Sequence, residues 1–124
     1  MRDRALRMLE VAKKSLTDGS YDIAAFMSEQ ASQLYIKSVV LELTGETLRS
    51  HSLRQLLRSL RDLVPQGERI EGFIRQHRGL LVRLEDAYIV SRYVVREYEE
   101  DEAEELVKFA EVLIGFVRGL QKQA

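Results

Sequence analysis

The sequence predicts an all-α fold, and three observations support this prediction. Apolar residues recur at the three- and four-residue spacing of a helix along the whole chain, and no run alternates long enough to form a strand. The chain contains one proline and seven glycines among its 124 residues, which leaves little room for a β-rich or disordered chain, and Gly19 and Gly45 follow apolar stretches, where glycine ends a helix at little cost. Its length and its 45% hydrophobic content predict a single domain, residues 1–124, with one core.

The first two helices are bounded by glycines. The first helix is predicted from about Arg2 to Thr17, because Asp18-Gly19 is a stop signal. Ser20 is then expected to cap the central helix through its hydroxyl group. The central helix is predicted over Tyr21–Leu43, and Thr44-Gly45 ends it.

The central helix is apolar around much of its circumference, so it is predicted to lie in the middle of a bundle. A helix this apolar is difficult to cover with the remaining helices of a small chain, and the sequence therefore also predicts a homodimer with a large apolar interface. The stripe predicted to be buried consists of Ile23, Met27, Ala31, Leu34, Ser38 and Leu41, and a second line of mostly small residues consists of Ala24, Ser28, Ala31 and Tyr35.

The remaining helices follow the same spacing. A third helix is predicted from about Ser50 or Ser52 to Leu63, before Pro65 and Gly67 break the chain. A fourth helix begins near Glu68, with a kink or break expected near Gly79. The last helix runs from about Asp101 to Gln121. The apolar face of the third helix consists of Leu53, Leu56, Leu57, Leu60 and Leu63.

Composition excludes several classes of protein. The chain has no cysteine, which excludes disulfides and thiolate metal sites. No run approaches 18 apolar residues, so no membrane partner is predicted. The N-terminal stretch carries charge throughout, unlike a signal peptide, and the chain is expected to be cytoplasmic. The absence of asparagine, with many arginines and glutamates, indicates a thermophilic source.

Charge is unevenly distributed, although the net charge is only −1. Residues 49–83 carry eight arginines and three acids, whereas residues 84–111 carry ten acids and three basic residues. Arg54, Arg58 and Arg61 share one stripe of the third helix, which is either a solvated face or a phosphate-binding stripe. No aromatic residues interleave with these arginines, so nucleic-acid binding receives only weak support. The acidic run is expected to form the first turns of the last helix rather than a metal site.

The two histidines do not form a recognised catalytic pattern. His51 precedes the third helix, where a structural hydrogen bond is expected, and His77 is expected to be exposed. Neither histidine belongs to a zinc-hydrolase motif, and the sequence has no phosphate-binding glycine loop. The residues alone therefore give little support for an enzyme and predict no cofactor.

Three stretches together resemble the HEPN domain (higher eukaryotes and prokaryotes nucleotide-binding domain). The first is YDIAAFMSEQASQLYIKSVVLEL at 21–43, the second is RSHSLRQLL at 49–57, and the third is DAYIVSRY at 86–93. With the matching order and length of the helices, the resemblance covers nearly the whole chain. The residues that fit the family pattern are Tyr21, Asp22, Glu29, Gln30, Ala31, Lys37, His51, Tyr88, Arg92 and Tyr93.

The resemblance implies an antiparallel four- to five-helix bundle that is usually homodimeric, with polar groups lining a cleft at or near the dimer interface. Many prokaryotic members work with a small nucleotidyltransferase, and some are ribonuclease toxins that this partner restrains. The ribonuclease signature is an arginine followed, after four to six residues, by a histidine. Neither His51 nor His77 has an arginine at those offsets, and Arg92 is followed there by Glu97, Tyr98 and Glu99.

The favoured hypothesis is therefore a non-catalytic HEPN protein that binds a nucleotide such as ATP, or pairs with a nucleotidyltransferase in a toxin–antitoxin-like system. The alternatives are a ribonuclease with a degenerate active site and a dimeric scaffold without a ligand. Arg92 could instead form an ion pair with Glu85, Asp86 or Glu99. The candidate phosphate- or nucleotide-binding residues are Arg92, Arg96, Tyr93 and Lys37, and the structural motif residues are Tyr21, Asp22, Glu29, Gln30, His51 and Tyr88.

Overall fold

The computed structural model describes residues 1–93 and 96–122, with side chains for 1–89 and 96–122. The predicted all-α fold is confirmed, and no strand occurs in these ranges. A short 3₁₀ turn, Gly67–Arg69, precedes the fourth helix. The six helices found in the described ranges are α1 (Arg2–Thr17), α2 (Tyr21–Thr44), α3 (Leu53–Ser59), α4 (Ile70–Gln76), α5 (Arg78–Tyr93) and α6 (Glu100–Leu120).

Helix α2 is the central element, and it contacts α1, α3, α5 and α6. The bounds of α1 agree with the prediction, and α2 is one residue longer. Gly19 and Gly45 adopt the left-handed conformation, with φ of 80° and 76°, as expected of residues that end helices. Ser20 stands at the N-cap of α2, but its side chain makes no capping hydrogen bond, which corrects the prediction.

One predicted boundary in the middle of the chain differs from the structure. Helix α3 ends at Ser59 rather than at Leu63, because the chain then turns back toward its own backbone. A Cβ atom on Gly67 would lie 1.8 Å from the carbonyl oxygen of Arg61, so only glycine fits at this close approach. The break expected near Gly79 is present, because two helices, α4 and α5, are separated at His77, two residues before it.

Of the predicted buried stripe of α2 only Ala31 and Ser38 are buried, whereas the line of small residues is buried throughout. Ile23 is 47% exposed, and Met27, Leu34 and Leu41 are only half-buried. Because alanine and serine side chains are short, neighbouring helices can approach this face closely. The buried residues of α2 are Ala24, Ala25, Ser28, Glu29, Ala31, Ser32, Gln33, Tyr35, Ile36, Ser38, Val39 and Val40.

The middle of α2 is thus covered by helices of the same chain, so the apolarity of α2 no longer supports a dimer. The core joins α2 to leucines of α3 and to the apolar face of α6. A smaller cluster between α1, α2 and α6 contains Ala12, Ala24, Ala103 and Val107. No described helix is long and apolar enough to cross a membrane.

Candidate functional site

A connected group of polar side chains lies where α2, the start of α3 and α5 meet. Gln30 Nε2 donates to Glu29 Oε1 at 2.8 Å, and Gln33 Nε2 donates to Glu29 Oε2. Gln33 Oε1 lies 3.4 Å from His51 Nδ1, and the Tyr88 hydroxyl lies 3.4 Å from His51 Nε2. We call Glu29, Gln30, Gln33, His51 and Tyr88 the α2–α5 polar cluster.

This cluster runs from the core to the surface. Glu29 has no exposed surface and Gln33 is 4% exposed, whereas His51 is exposed. The rings of His51 and Tyr88 stack, with their centres 4.5 Å apart and their planes 19° from parallel. A buried carboxylate is therefore linked through one amide to an aromatic pair at the protein surface.

Burial raises the pKa of Glu29 from 4.5 to about 7. The hydrogen bonds from Gln33 and Gln30 and the charge of Lys37 oppose this increase, while the charge of Glu85 adds to it. Lys37 is half-buried, and its burial lowers its pKa, although the attraction of Glu29 opposes that effect. The carboxyl group of Glu29 therefore exchanges its proton near neutral pH.

The hydrogen bonds of the cluster agree with one another when Glu29 is ionised. The carboxylate then accepts from Gln33 Nε2, so Gln33 Oε1 faces His51 and can accept from an Nδ1–H group. His51 Nε2 is then available to accept from the Tyr88 hydroxyl.

Glu85 fixes the start of α3 against α5. Its Oε1 atom accepts from the Ser52 hydroxyl at 3.3 Å and from the backbone N–H of Arg54 at 3.1 Å. Its Oε2 atom accepts from the guanidinium of Arg54 at 3.0 Å. Ser52 also caps α3 by accepting from the N–H of Gln55. These bonds hold the backbone next to His51, and they position its ring over Tyr88.

Four of the residues singled out in the sequence meet in this cluster: Glu29, Gln30, His51 and Tyr88. They come from three separate stretches of the chain. The expected structural hydrogen bond of His51 is present, to Gln33 and Tyr88. Sequence reasoning missed Gln33, and it considered Glu85 only as a possible ion-pair partner of Arg92 rather than of Arg54. The available signals were that Gln33 lies four residues after Glu29 on one helical face and that Glu85 precedes Tyr88 by three.

The other sequence candidates lie elsewhere or are only partly described. Tyr21 is half-buried and packs against both hydrophobic clusters, while Asp22 is exposed in the first turn of α2. The side chains of Arg92 and Tyr93 lie outside the described residues. Their positions belong to α5, and Arg92 comes one helical turn after Tyr88. Lys37 lies two turns after Glu29 on α2 and interacts with it electrostatically.

Arg96 belongs to a second group, at the start of α6. Its Nη2 atom donates to Glu102 Oε2 at 2.6 Å, and its guanidinium carbon lies 4.3 Å from the centre of the Tyr98 ring. Glu102 Oε1 also accepts from the N–H of Glu99, which completes a capping box. These side chains border a small open cleft lined by Arg83, Arg96, Tyr98, Glu102 and Leu106.

The Tyr98 hydroxyl is buried at this cleft and has no hydrogen-bond partner among the described residues. Burial raises the pKa of Tyr98. The predicted phosphate-binding set is therefore divided, because Arg96 is paired with the acidic start of α6 and Lys37 interacts with Glu29 on α2.

The acidic run behaves as the start of a helix, as the sequence predicts. Glu99 is the N-cap residue of α6, and Lys108 pairs with Glu104 one turn earlier. Within the described ranges, no three histidine, aspartate or glutamate side chains are placed to hold a metal ion. His77 is not exposed as predicted, because it is half-buried with its ring centre 4.5 Å from that of Phe73.

The helical bundle, with a polar cluster that reaches its core, places this chain among the all-α domains. A sequence model of the HEPN domain matches residues 1–120, and the chain therefore belongs to the HEPN domain family. This match confirms the resemblance found in the sequence motifs. No curated protein and no solved structure matches the chain significantly.

Proposed function

We propose that this chain is a non-catalytic HEPN protein that binds a nucleotide, with ATP as the first candidate, at the α2–α5 polar cluster. The observation that carries this proposal is the convergence of Glu29, Gln30, His51 and Tyr88 on one connected network. Burying a carboxylate opposes folding, so perturbed groups of this kind concentrate at functional sites.

The cluster offers contacts for both parts of a nucleotide. The exposed His51 ring, held in place by Tyr88, can stack on a base. Lys37 supplies a cation near the buried carboxylate, and an arginine occupies the next helical turn of α5 after Tyr88. Phosphate oxygens bound by these cations would lie beside the stacked base.

The absence of a ribonuclease signature supports the non-catalytic part of the proposal. No histidine follows Arg92, or any other arginine, with four to six residues between the two. A well-placed general acid or base contributes about 10²- to 10⁴-fold to a rate. We therefore expect no cleavage of single-stranded RNA, with or without divalent metal. Cleavage that is lost in Arg92→Ala would instead support the alternative of a degenerate ribonuclease.

Titration calorimetry with ATP tests the binding proposal. A charge-assisted hydrogen bond contributes about 1.5–3 kcal/mol, so two such contacts, less the cost of immobilising the ligand, predict micromolar or weaker affinity. Lys37→Met and Arg92→Ala should each weaken binding by about tenfold or more. Lys14→Met is the matched control, because Lys14 is exposed on α1. Absent heats, or equal heats in all four proteins, would refute the proposal and favour a ligand-free scaffold.

We further propose that the chain is a homodimer and that a small nucleotidyltransferase is its partner. Family membership supports both assignments, and Ile89, 53% exposed beside Tyr88 on α5, offers an apolar contact next to the cluster. Light scattering at micromolar concentration should give twice the 14.3 kDa mass of the chain. A monomer under these conditions would contradict the dimer without affecting the ATP titration.

A further inference from the structure

A basic surface lies on α3, the turn that follows it and α4. All eight basic residues between positions 49 and 83 are arginines. Arg54 and Arg58 lie on α3, Arg61 lies in the following turn, and Arg75 lies on α4. Arg54 is half-buried and the other three are exposed. We call these four residues the arginine surface.

Glu71 lies among three of these arginines. Arg58 donates from Nε to Glu71 Oε1 at 2.8 Å and from Nη2 to Oε2 at 3.4 Å. This hydrogen bonding lowers the pKa of Glu71, and the charges of Arg58, Arg61 and Arg75 lower it further. The carboxylate of Glu71 therefore occupies a position where the surface attracts an anion with two oxygens.

The positive charge of this surface is only partly balanced by acids, which include Glu71, Glu85 and the exposed Asp62 in the turn beside Arg61. Arg54 pairs with Glu85 and Arg58 with Glu71. Arg61 and Arg75 have no ion pair within 4 Å in the part of the chain that the structure describes. Two guanidinium groups thus remain available to bind an anion from solution.

We propose that the arginine surface binds the phosphodiester backbone of a nucleic acid without recognising its sequence. A guanidinium group binds two phosphate oxygens in a fork, which lysine cannot do. Arg58, Arg61 and Arg75 all act on the Glu71 carboxylate, so a phosphate that takes its place can be contacted by these three guanidinium groups. Arg54 remains paired with Glu85 and is not counted as a phosphate contact.

A nucleic acid fits this surface better than an acidic protein. Protein interfaces depend on apolar and aromatic anchors at their centre. Helices α3 and α4 are fully described, and neither carries an exposed large hydrophobic residue; the nearest is Leu63, 36% exposed in the following turn. Phosphate contacts need no such anchor. Without exposed aromatic rings for base stacking, affinity should depend on charge alone.

Fluorescence anisotropy with a labelled 20-nucleotide uridine RNA tests the proposal. Contacts from three guanidinium groups to the phosphates of a single strand predict a slope of about −2 for log affinity against log salt. Raising the salt from 50 to 200 mM should therefore weaken binding by about 20-fold. DNA strands and duplexes of the same length identify the preferred form of the backbone. No binding of any of these probes at 50 mM salt would refute the proposal.

Charge-reversal variants locate the binding surface. Arg61→Glu combined with Arg75→Glu should reduce affinity by at least about tenfold and make the salt slope shallower by about 1.4, since two contacts are lost. The control is Arg4→Glu combined with Arg7→Glu, which changes the net charge equally on exposed positions of α1. Equal loss in both proteins would show that only net charge matters, which would overturn the proposal.

A gain of binding excludes misfolding as the explanation. Glu71→Gln removes the carboxylate that pairs with Arg58 and should strengthen RNA binding severalfold. Unchanged affinity in Glu71→Gln would contradict the proposed position of the phosphate. A glutamate peptide of similar charge that competes as well as RNA would assign the surface to an acidic protein instead. Lys37→Met should leave RNA binding unchanged, which separates this proposal from nucleotide binding at the polar cluster.

Discussion

The replacement Glu29→Gln should change how the stability of the protein depends on pH. Because burial raises the pKa of Glu29 from 4.5 to about 7, the folded protein retains this proton over a range in which the unfolded chain has released it. Below pH 4.5 both states are protonated, and the group has no effect on relative stability. Between the two pKa values stability decreases as pH rises, and above pH 7 the loss is complete.

The magnitude follows from the size of the shift. Each pKa unit corresponds to about 1.36 kcal/mol, so the free energy of unfolding should fall by about 2 to 3 kcal/mol between pH 5 and pH 8 because of this carboxyl group. For a chain of 124 residues this corresponds to a decrease in melting temperature on the order of 10 °C. Glutamine cannot ionise, so Glu29→Gln should lack this component of the pH dependence.

Urea denaturation followed by circular dichroism at half-unit steps from pH 5 to pH 8 measures the effect. The difference in stability between Glu29→Gln and the natural chain should grow with pH in favour of the variant. Glu42→Gln is the control, because the hydrogen bond from Arg2 lowers the pKa of Glu42 and places its titration below this range. Parallel curves for Glu29→Gln and the natural chain would show that Glu29 ionises normally and would refute the argument.

Two further predictions concern the α3–α4 turn and the cleft at α6. Gly67→Ala should destabilise the fold by about 2 kcal/mol or more in urea denaturation, because its Cβ would collide with the carbonyl of Arg61. The control Gly115→Ala on α6 has open space around it and should stabilise the fold by about 0.5–1 kcal/mol, so equal effects would contradict this account of the turn. Glu102→Gln removes the charge that pairs with Arg96, so ATP affinity should rise severalfold if Arg96 contacts phosphate. An unchanged affinity in calorimetric titrations would place Arg96 outside the ligand site.

The helices were predictable because their ends are marked by local chemistry. Gly19 and Gly45 adopt the left-handed conformation that their positions in the sequence suggest. The early end of α3 was not predictable, because it depends on the contact between Gly67 and the Arg61 carbonyl, which only the folded chain brings together. The burial of Ile23 on α2 was predicted wrongly because hydrophobicity alone favours it, whereas close packing favours the line of small residues that the sequence also shows.

Most members of the polar cluster could be predicted from the sequence, but the hydrogen bonds that connect them could not. The family motifs identified Glu29, His51 and Tyr88, which are far apart in the sequence. Gln33, which joins the buried carboxylate to the histidine, has no motif of its own. Its role depends on the orientation of α2 relative to the loop before α3, and that orientation is set by tertiary packing.

The titration of Glu29 should be linked to nucleotide binding, since both involve Lys37. A phosphate group bound by Lys37 draws its ammonium charge away from Glu29, which removes an attraction that favours the ionised carboxylate. Glu85 already opposes that ionised form, and ionised phosphate oxygens near the cluster would oppose it further. Binding should therefore be accompanied by proton uptake near pH 7, with an apparent affinity that decreases as pH rises.

Calorimetric titrations with ATP in buffers of different ionisation enthalpy measure this uptake. Identical heats in all buffers, for a chain that does bind ATP, would show that the phosphates lie away from Lys37 and that the base, rather than the phosphate, is held at the cluster.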